Sequence, residues 1–258
     1  MGILQDILSN KRSEVARAKL GKPLDEVRGD ALRKPESSAF AKALKNKGIS
    51  IIAEIKKASP SRGVLKAEFD HRQLAREYEA GGARALSVVT DEKFFQGRPE
   101  FIEDVKKVCG LPVLCKDFII DEYQIYESKV LGADAILLIV KTLDEHTLRR
   151  FYDCARTAGL DVLVEAHTAR EVQAANAIGA NIIGINNRDL ETFQVSIDHS
   201  LKLRDKISPN SIAVSESGIS NAEDLERLQR AQFDAVLIGE GIVTKGDRVR
   251  ALKAMVHG

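Results

Sequence analysis

The sequence predicts an α/β protein built as a closed (β/α)8 barrel, and three observations predict it. Eight short aliphatic runs recur, polar segments with helical spacing separate them, and 258 residues hold the whole pattern with no contrasting segment after residue 49. The runs are Ser50–Lys56, Ala85–Thr90, Pro112–Lys116, Ala135–Val140, Asp161–Glu165, Asn181–Asn186, Ser211–Glu216 and Asp234–Gly239. Each is too short for a helix. Ala135 to Val140 is apolar on both faces, as a parallel strand covered on both sides must be. Helical spacing follows at Leu74 and Tyr78, over Leu143–Ala158, over Ala169–Gly179, and over Ala222–Gln232, where Asn221 is placed to cap an acidic first turn. Gly82, Gly132 and Gly179, each followed by Ala, suit the left-handed stop of a helix before the next strand. An open doubly wound sheet is the competing architecture. It usually carries a GxGxxG turn after its first strand, and this sequence has none there.

Residues 1–49 stand outside the repeat. Ile3, Leu4, Ile7, Leu8 and Val15 share one helical face, Pro23 and Gly29 interrupt the pattern, and Ser37-Ser38 start another helix through Leu44. The expectation is a single barrel domain over 1–258, with residues 1–49 as an N-terminal helical extension. Whether the extension covers the barrel mouth or plugs another surface stays open.

Composition excludes several functions. Lys and Arg (39) nearly balance Asp and Glu (38), there is no Trp, and nine Phe with four Tyr form no base-stacking platform, so no nucleic-acid partner is expected. The apolar run at Ala135–Val140 is far too short to span a bilayer. Asp6, Lys11, Arg12 and Glu14 stand where a signal sequence would be apolar, so no membrane partner is expected either. Cys109, Cys115 and Cys154 form no CxxC or Cys/His cluster, which suits a reducing cytoplasm. His71, His146, His167, His199 and His257 lack HxxH or HExxH spacing, so neither a metal nor a cofactor is expected.

Side-chain parity locates the chemistry. Aligned by their ends, the odd strands read Ile52-x-Glu54, Leu114-x-Lys116, Leu163-x-Glu165 and Val214-x-Glu216. Alternate strands fill such barrels in layers of four, so an aliphatic layer should lie beneath a layer of Glu54, Lys116, Glu165 and Glu216, with Lys56 on the same face. Ionisable groups gathered in a partly desolvated cup are costly unless they pair, and their pKa values should be displaced. Two readings stand: a buried ion-pair lattice that fixes register, or a catalytic cup.

The even strands add smaller groups. Asn186 ends strand six, and Arg188 can extend a guanidinium over the mouth or remain a solvated loop residue. Phe94 and Phe95 sit on the loop after strand two, as a wall for a ring substrate or as residues buried beneath the extension. Ser217-Gly218 and Gly239-Glu240-Gly241 form Gly-bearing turns after strands seven and eight, the usual phosphate cradle of this fold.

These residues carry a family resemblance. Glu54-Ile-Lys56-Lys-Ala-Ser59-Pro-Ser-Arg-Gly63, Leu114-Cys-Lys116-Asp-Phe118, Leu163-Val-Glu165, Gly184-Ile-Asn186-Asn-Arg188-Asp-Leu190 and Ser215-Glu216-Ser217-Gly218-Ile219 are similar to signature segments of the indole-3-glycerol phosphate synthases. The match runs nearly end to end and includes the stretch beginning at Ile3-Leu4. The resemblance implies a cofactor-independent step of tryptophan biosynthesis, the closure of 1-(2-carboxyphenylamino)-1-deoxyribulose 5-phosphate to indole-3-glycerol phosphate with loss of carbon dioxide and water. It implies Lys116 as general acid and Glu165 as general base. Lys56 and Arg188 would hold the substrate carboxylate, while Glu54, Asn186 and Glu216 would orient the lysines and the intermediate. Ser59, Phe95 and Phe118 would contact substrate, and Ser217, Gly218, Gly239 and Glu240 would bind phosphate. Gly241 departs from the Ser or Ala common in the family, and a fused two-enzyme form is not expected at this length.

The expected partner is a small phosphorylated substrate, with the chain a monomer or weak homodimer in the cytoplasm. Two alternatives compete with this reading. Phosphoribosylanthranilate isomerase would be expected to carry Cys and Asp near the ends of strands one and six, where Glu54-Ile-Lys56 and Asn186 stand. A non-catalytic sugar-phosphate barrel would keep the Gly turns without needing Lys116 and Glu165.

Overall fold

The aliphatic runs form strands β1 (Ser50–Ile55), β2 (Ala85–Val89), β3 (Val113–Lys116), β4 (Ala135–Ile139), β5 (Asp161–Ala166), β6 (Ile182–Asn186), β7 (Ile212–Glu216) and β8 (Ala235–Ile238). The structure is a computed structural model describing residues 2–60, 62–65, 68–189 and 194–257; Ser61 and Leu190 of the motif segments lie outside the described residues. Every strand pairs in parallel with its sequence neighbours and β1 pairs with β8, so the sheet closes into the TIM-barrel fold. The strands end within a residue or two of their expected limits. Val140 starts a 3-10 turn and Gly239 leads into a short helix, so neither extends its strand.

Three helices precede the barrel: α1 (Ile3–Gly21), α2 (Leu24–Leu32) and α3 (Ala39–Leu44). Outside it run α4 (His71–Ala80), short α5 (Glu92–Phe95), α6 (Phe101–Lys106), α7 (Glu122–Val130), α8 (Glu145–Thr157), α9 (Ala169–Ala177), α10 (Asp198–Leu203), α11 (Ala222–Arg230), short α12 (Glu240–Val243) and α13 (Arg248–His257). The Asn221 side chain caps α11 by accepting the Asp224 N–H at 2.9 Å. Gly82, Gly132 and Gly179 have positive φ at the helix stops. One expectation fails. Gly29 does not interrupt a helix but lies inside α2, because burial of Val27 and Ala31 outweighs the roughly 1 kcal/mol a helical Gly costs.

The core has two parts. Outward faces of the strands pack beneath the helices, while Ile52, Leu114, Leu163 and Val214 meet inside the barrel in one apolar cluster. Phe40 and Leu44 of α3 join that inner cluster and are fully buried. The Ser50 hydroxyl donates to the Leu44 carbonyl at 3.1 Å and the Ala41 N–H donates to Asp161 at 2.9 Å, so α3 sits at the first residues of β1 and β5. This helix closes the barrel floor. Its two large apolar side chains contribute about 2–3 kcal/mol each by burial.

Helix α1 serves the opposite end. Lys11, buried on the face with Ile7, Leu8 and Val15, places Nζ 2.8 Å from Asp117 and 3.2 Å from Asp91, the residues just beyond β3 and β2, and 2.7 Å from Glu14. Burial opposes its charge, but Asp117, Glu14 and Asp91 overcome that and raise its pKa. The extension therefore both seals the floor and grips the loops of the mouth.

Lys11→Met would strand two buried carboxylates, so chemical denaturation at pH 8 is expected to show a loss of about 3–5 kcal/mol. Burial already raises the Asp117 pKa, so its protonation should shrink that loss by pH 5. A loss below about 1 kcal/mol, or one growing in acid, would mean that the three charges are solvated.

Candidate active site

Glu54, Lys116, Glu165 and Glu216, the last or last-but-one residues of β1, β3, β5 and β7, converge above the Ile52, Leu114, Leu163 and Val214 layer, all lining one cavity of about 580 Å³. Lys116 Nζ stands 3.4 Å from Glu165 Oε2 and 3.9 Å from Glu216 Oε2, while Lys56 Nζ stands 2.5 Å from Glu54 Oε1. Glu165 and Glu216 are 2% and 1% exposed, so these charges act through protein rather than water.

The surroundings set the protonation states. Burial works against the Lys116 ammonium, but Glu165, Glu216 and Glu54 outweigh it and raise its pKa. Burial likewise opposes the Glu54 charge, and Lys56 with Lys116 overcomes it, so its pKa is lowered. Glu165 is also lowered: Lys116, His167 and a hydrogen bond from Asn186 outweigh burial. Glu216 goes the other way. Burial, reinforced by repulsion from Glu165, holds its pKa well above the usual carboxylate range, and neither of its oxygens has a hydrogen-bond partner. The two neighbouring carboxyls are thus pushed in opposite directions, Glu165 towards its ionised form and Glu216 towards its protonated one.

Two glycines make room for this layer. A Cβ at Gly184, inside β6, would collide with Glu216 Oε1, and a Cβ at Gly239 would collide with Glu54 Oε1. A glycine within a strand marks such a close approach, and Gly184 carries that signal in the sequence.

At the rim, Phe95 and Phe118 line the cavity with ring centroids 6.2 Å apart, whereas Phe94 does not line it and lies beneath Lys93. Asp91 accepts the Phe94 N–H at 2.8 Å and Asp117 the Phe118 N–H at 2.7 Å, so two of the three Lys11 partners hold the loops carrying both rings. Asn186 Oδ1 accepts the Arg188 N–H at 3.0 Å, and Arg188 Nη2 donates to Glu240 at 3.1 Å, joining the mouths of β6 and β8. Ser59, expected at the substrate, is buried in a two-stranded ribbon (Ala58–Ser59 with Gly63–Val64) and does not line the cavity. Arg62, not singled out from sequence, does line it, with Nε 3.8 Å from Glu240.

The turns after β7 and β8 face this cavity through Ser217, Gly218, Gly239, Glu240 and Gly241. Ser217 has φ 68° and Gly218 φ 81°; such a conformation is costly for Ser and is stabilised by its surroundings. Buried Asn187 supplies the support, donating to the Ser217 carbonyl at 2.9 Å and to Ser215 Oγ at 3.0 Å while accepting from the Ser200 N–H at 2.9 Å. A Cβ at Gly241 would stand 2.6 Å from the Ile219 carbonyl oxygen, so the two turns pack too closely for Ser or Ala without a backbone shift.

Fold and site together define a class, the (β/α)8-barrel enzymes that do their chemistry at the C-terminal ends of the strands. The sequence profile of "Indole-3-glycerol phosphate synthase" matches residues 4–255. The chain belongs to the indole-3-glycerol phosphate synthase family, carboxy-lyases of tryptophan biosynthesis acting on a phosphorylated small molecule. It is 49% identical over 238 residues to the indole-3-glycerol phosphate synthase of Thermoanaerobacter pseudethanolicus, covering 92% of this chain and 91% of that one. With the Chlorobium phaeobacteroides enzyme of the same name it shares 47% over 254 residues, covering 98% of each. Among solved structures, 3-hexulose-6-phosphate synthase from Salmonella typhimurium superposes with TM-score 0.65 at 14% identity, covering 80% of this chain and 96% of that one, a likeness of fold alone. No helix among the described residues is long and apolar enough to cross a membrane.

Glu216→Gln fixes the neutral form of its side chain. A carboxyl whose folded pKa is raised contributes its stability in acid and loses it as pH climbs through the raised value. The variant should therefore melt about 3–6 °C above the parent at pH 8–9 and match it near pH 4. Melting curves shifted equally at both pH values would mean that folding does not raise the Glu216 pKa.

Proposed function

We propose that Lys116 is the general acid and Glu165 the general base in the conversion of 1-(2-carboxyphenylamino)-1-deoxyribulose 5-phosphate to indole-3-glycerol phosphate. The observation that carries this reading is the Lys116 ammonium held 3.4 Å from Glu165 on an apolar floor, inside a cavity rimmed by two aromatic rings and two Gly-bearing turns. Lys116 protonates the ketone oxygen as the ring carbon attacks. The carboxylate then leaves as carbon dioxide. Glu165, ionised beside Lys116, removes the carbon-bound proton in the dehydration that follows.

The remaining side chains orient. Lys56, neutralised by Glu54, and Arg188, neutralised by Glu240, meet the substrate carboxylate without holding it so tightly that its departure is hindered. Glu216 in its neutral form offers an O–H to the intermediate's hydroxyl, and Asn186 holds Glu165. Phe95 and Phe118 flank the aromatic ring. Backbone N–H groups of Ser217, Gly218, Gly239 and Glu240 take the phosphate; the Glu240 carboxylate, itself anionic, is turned to Arg188. Ser59 has no part in this assignment. The free thiols of Cys109, Cys115 and Cys154 suit a cytoplasmic enzyme, taken here as a monomer or weak homodimer.

Lys116→Ala is expected to lower turnover, followed by indole fluorescence, by roughly 10² or more while inorganic phosphate still competes with substrate as before. Near-normal turnover would remove Lys116 from its role. Glu165→Gln should release carbon dioxide yet stall before dehydration; normal indole formation would reassign the base. A non-catalytic sugar-phosphate barrel would bind substrate and give no indole signal at all.

A further inference from the structure

The proton balance of this reaction is not closed by Lys116 and Glu165 alone. The ketone oxygen leaves as water and so gains two protons. The carboxylate leaves as carbon dioxide, its bonding electron pair restoring the aromatic ring, and dehydration returns one proton from carbon. Each turnover therefore takes one proton from solvent, into a cup where Glu165 and Glu216 are almost fully buried.

A route lies behind Glu165. His167 follows it at the end of β5 with its side chain only 10% exposed; Nε2 is 3.6 Å from Glu165 Oε1 and Nδ1 is 3.6 Å from Glu171 Oε2. Neither ring nitrogen has a hydrogen-bond partner, although both are buried, a state that calls for an explanation. The backbone around the ring is pinned. Glu171 Oε2 accepts the His167 N–H at 2.7 Å, Thr168 caps α9 by accepting the Glu171 N–H, and His199 of α10 contacts the His167 carbonyl oxygen at 2.6 Å. The ring is thus placed between two carboxylates, and a movement of roughly 0.7 Å would bring either one to ordinary hydrogen-bond length. Such gaps commonly tighten when substrate binds.

We propose that His167 and Glu171 form a proton-delivery path from the outer end of α9 to Glu165, and through it to Lys116. His167 gives its Nε2 proton to Glu165 and takes another at Nδ1 from Glu171, Glu171 is reprotonated by water, and exchange of the ring's protons with water returns the imidazole to its Nε2–H tautomer before the next turnover. No bond to substrate and no redox change is involved. His167 acts through Glu165, so the inference rests on Glu165 being the base. The charged and titratable groups facing this path are Glu165 on β5, Lys116 on β3, Glu171 on α9 and His199 on α10.

The test is steady-state turnover of His167→Gln from pH 6 to 9, with Glu171→Gln alongside. His167→Gln should lose about tenfold in kcat with KM unchanged, the deficit should widen as pH rises and solvent protons become scarce, and added imidazole should restore turnover in the variant but not in the parent. Glu171→Gln should give a smaller deficit of the same pH shape. A kcat within twofold of the parent at pH 9, or a deficit independent of pH and indifferent to imidazole, would overturn the path. Unchanged competition by inorganic phosphate and an unchanged circular dichroism spectrum exclude misfolding. Failure of the base assignment is read separately, from indole formation by Glu165→Gln: that variant stalled while His167→Gln is normal would sink the path alone.

Discussion

Everything at the mouth of this barrel depends on how five ionisable side chains neutralise one another away from water. Lys56 and Lys116 supply two positive charges, and Glu54, Glu165 and Glu216 could supply three negative ones. Ionising all three would leave an unbalanced charge on an apolar floor, where desolvation is expensive. The site eases this at Glu216, whose pKa burial and the neighbouring Glu165 raise, so that its neutral form is favoured. The layer is then close to neutral before substrate enters. On the proposed reading, an incoming carboxylate would meet a lysine already engaged by a partner, which would orient the group and still let it leave.

Much of this was legible in the sequence because strand parity is rigid. Residues two apart share a face, so aligning four strand ends was enough to stack Glu54, Lys116, Glu165 and Glu216 above Ile52, Leu114, Leu163 and Val214. Loops obey no such period, and there the reading thinned. Phe94 and Phe95 are adjacent and chemically alike, yet only Phe95 reaches the cavity; Ser59 belongs to a ribbon that no alternation pattern announced. His167 was set aside for lacking metal-ligand spacing. Its position, two residues beyond Glu165, acquires meaning only once the turn into α9 brings Glu171 to its other side.

The N-terminal segment was ambiguous for a different reason. An amphipathic pattern says that one face is buried but not against what. Two of its helices turn out to serve opposite ends of the barrel. Phe40 and Leu44 complete the inner apolar cluster, which eight strands with small residues such as Ala85, Ala135 and Ala235 near their starts would leave open below. Lys11 has no counterpart in an apolar-face count, since a lysine there reads as an interruption. Its burial makes sense only against Asp91 and Asp117, more than seventy residues away in the chain. Because those aspartates also hold the loops bearing Phe95 and Phe118, the extension is mechanically part of the mouth.

The resemblance to 3-hexulose-6-phosphate synthase is one of fold alone, and a shared fold does not by itself share a function. At 14% identity the two chains still superpose with TM-score 0.65, so they share the fold with little of the sequence. What cannot drift freely is the set of positions whose chemistry is coupled. The pKa values of Glu165, Glu216 and Lys116 depend on one another, and a Cβ added at Gly184 or Gly239 would collide with Glu216 or Glu54. The constraint on this chain is therefore local, carried by a few strand ends and by the two glycines that give their carboxyls room.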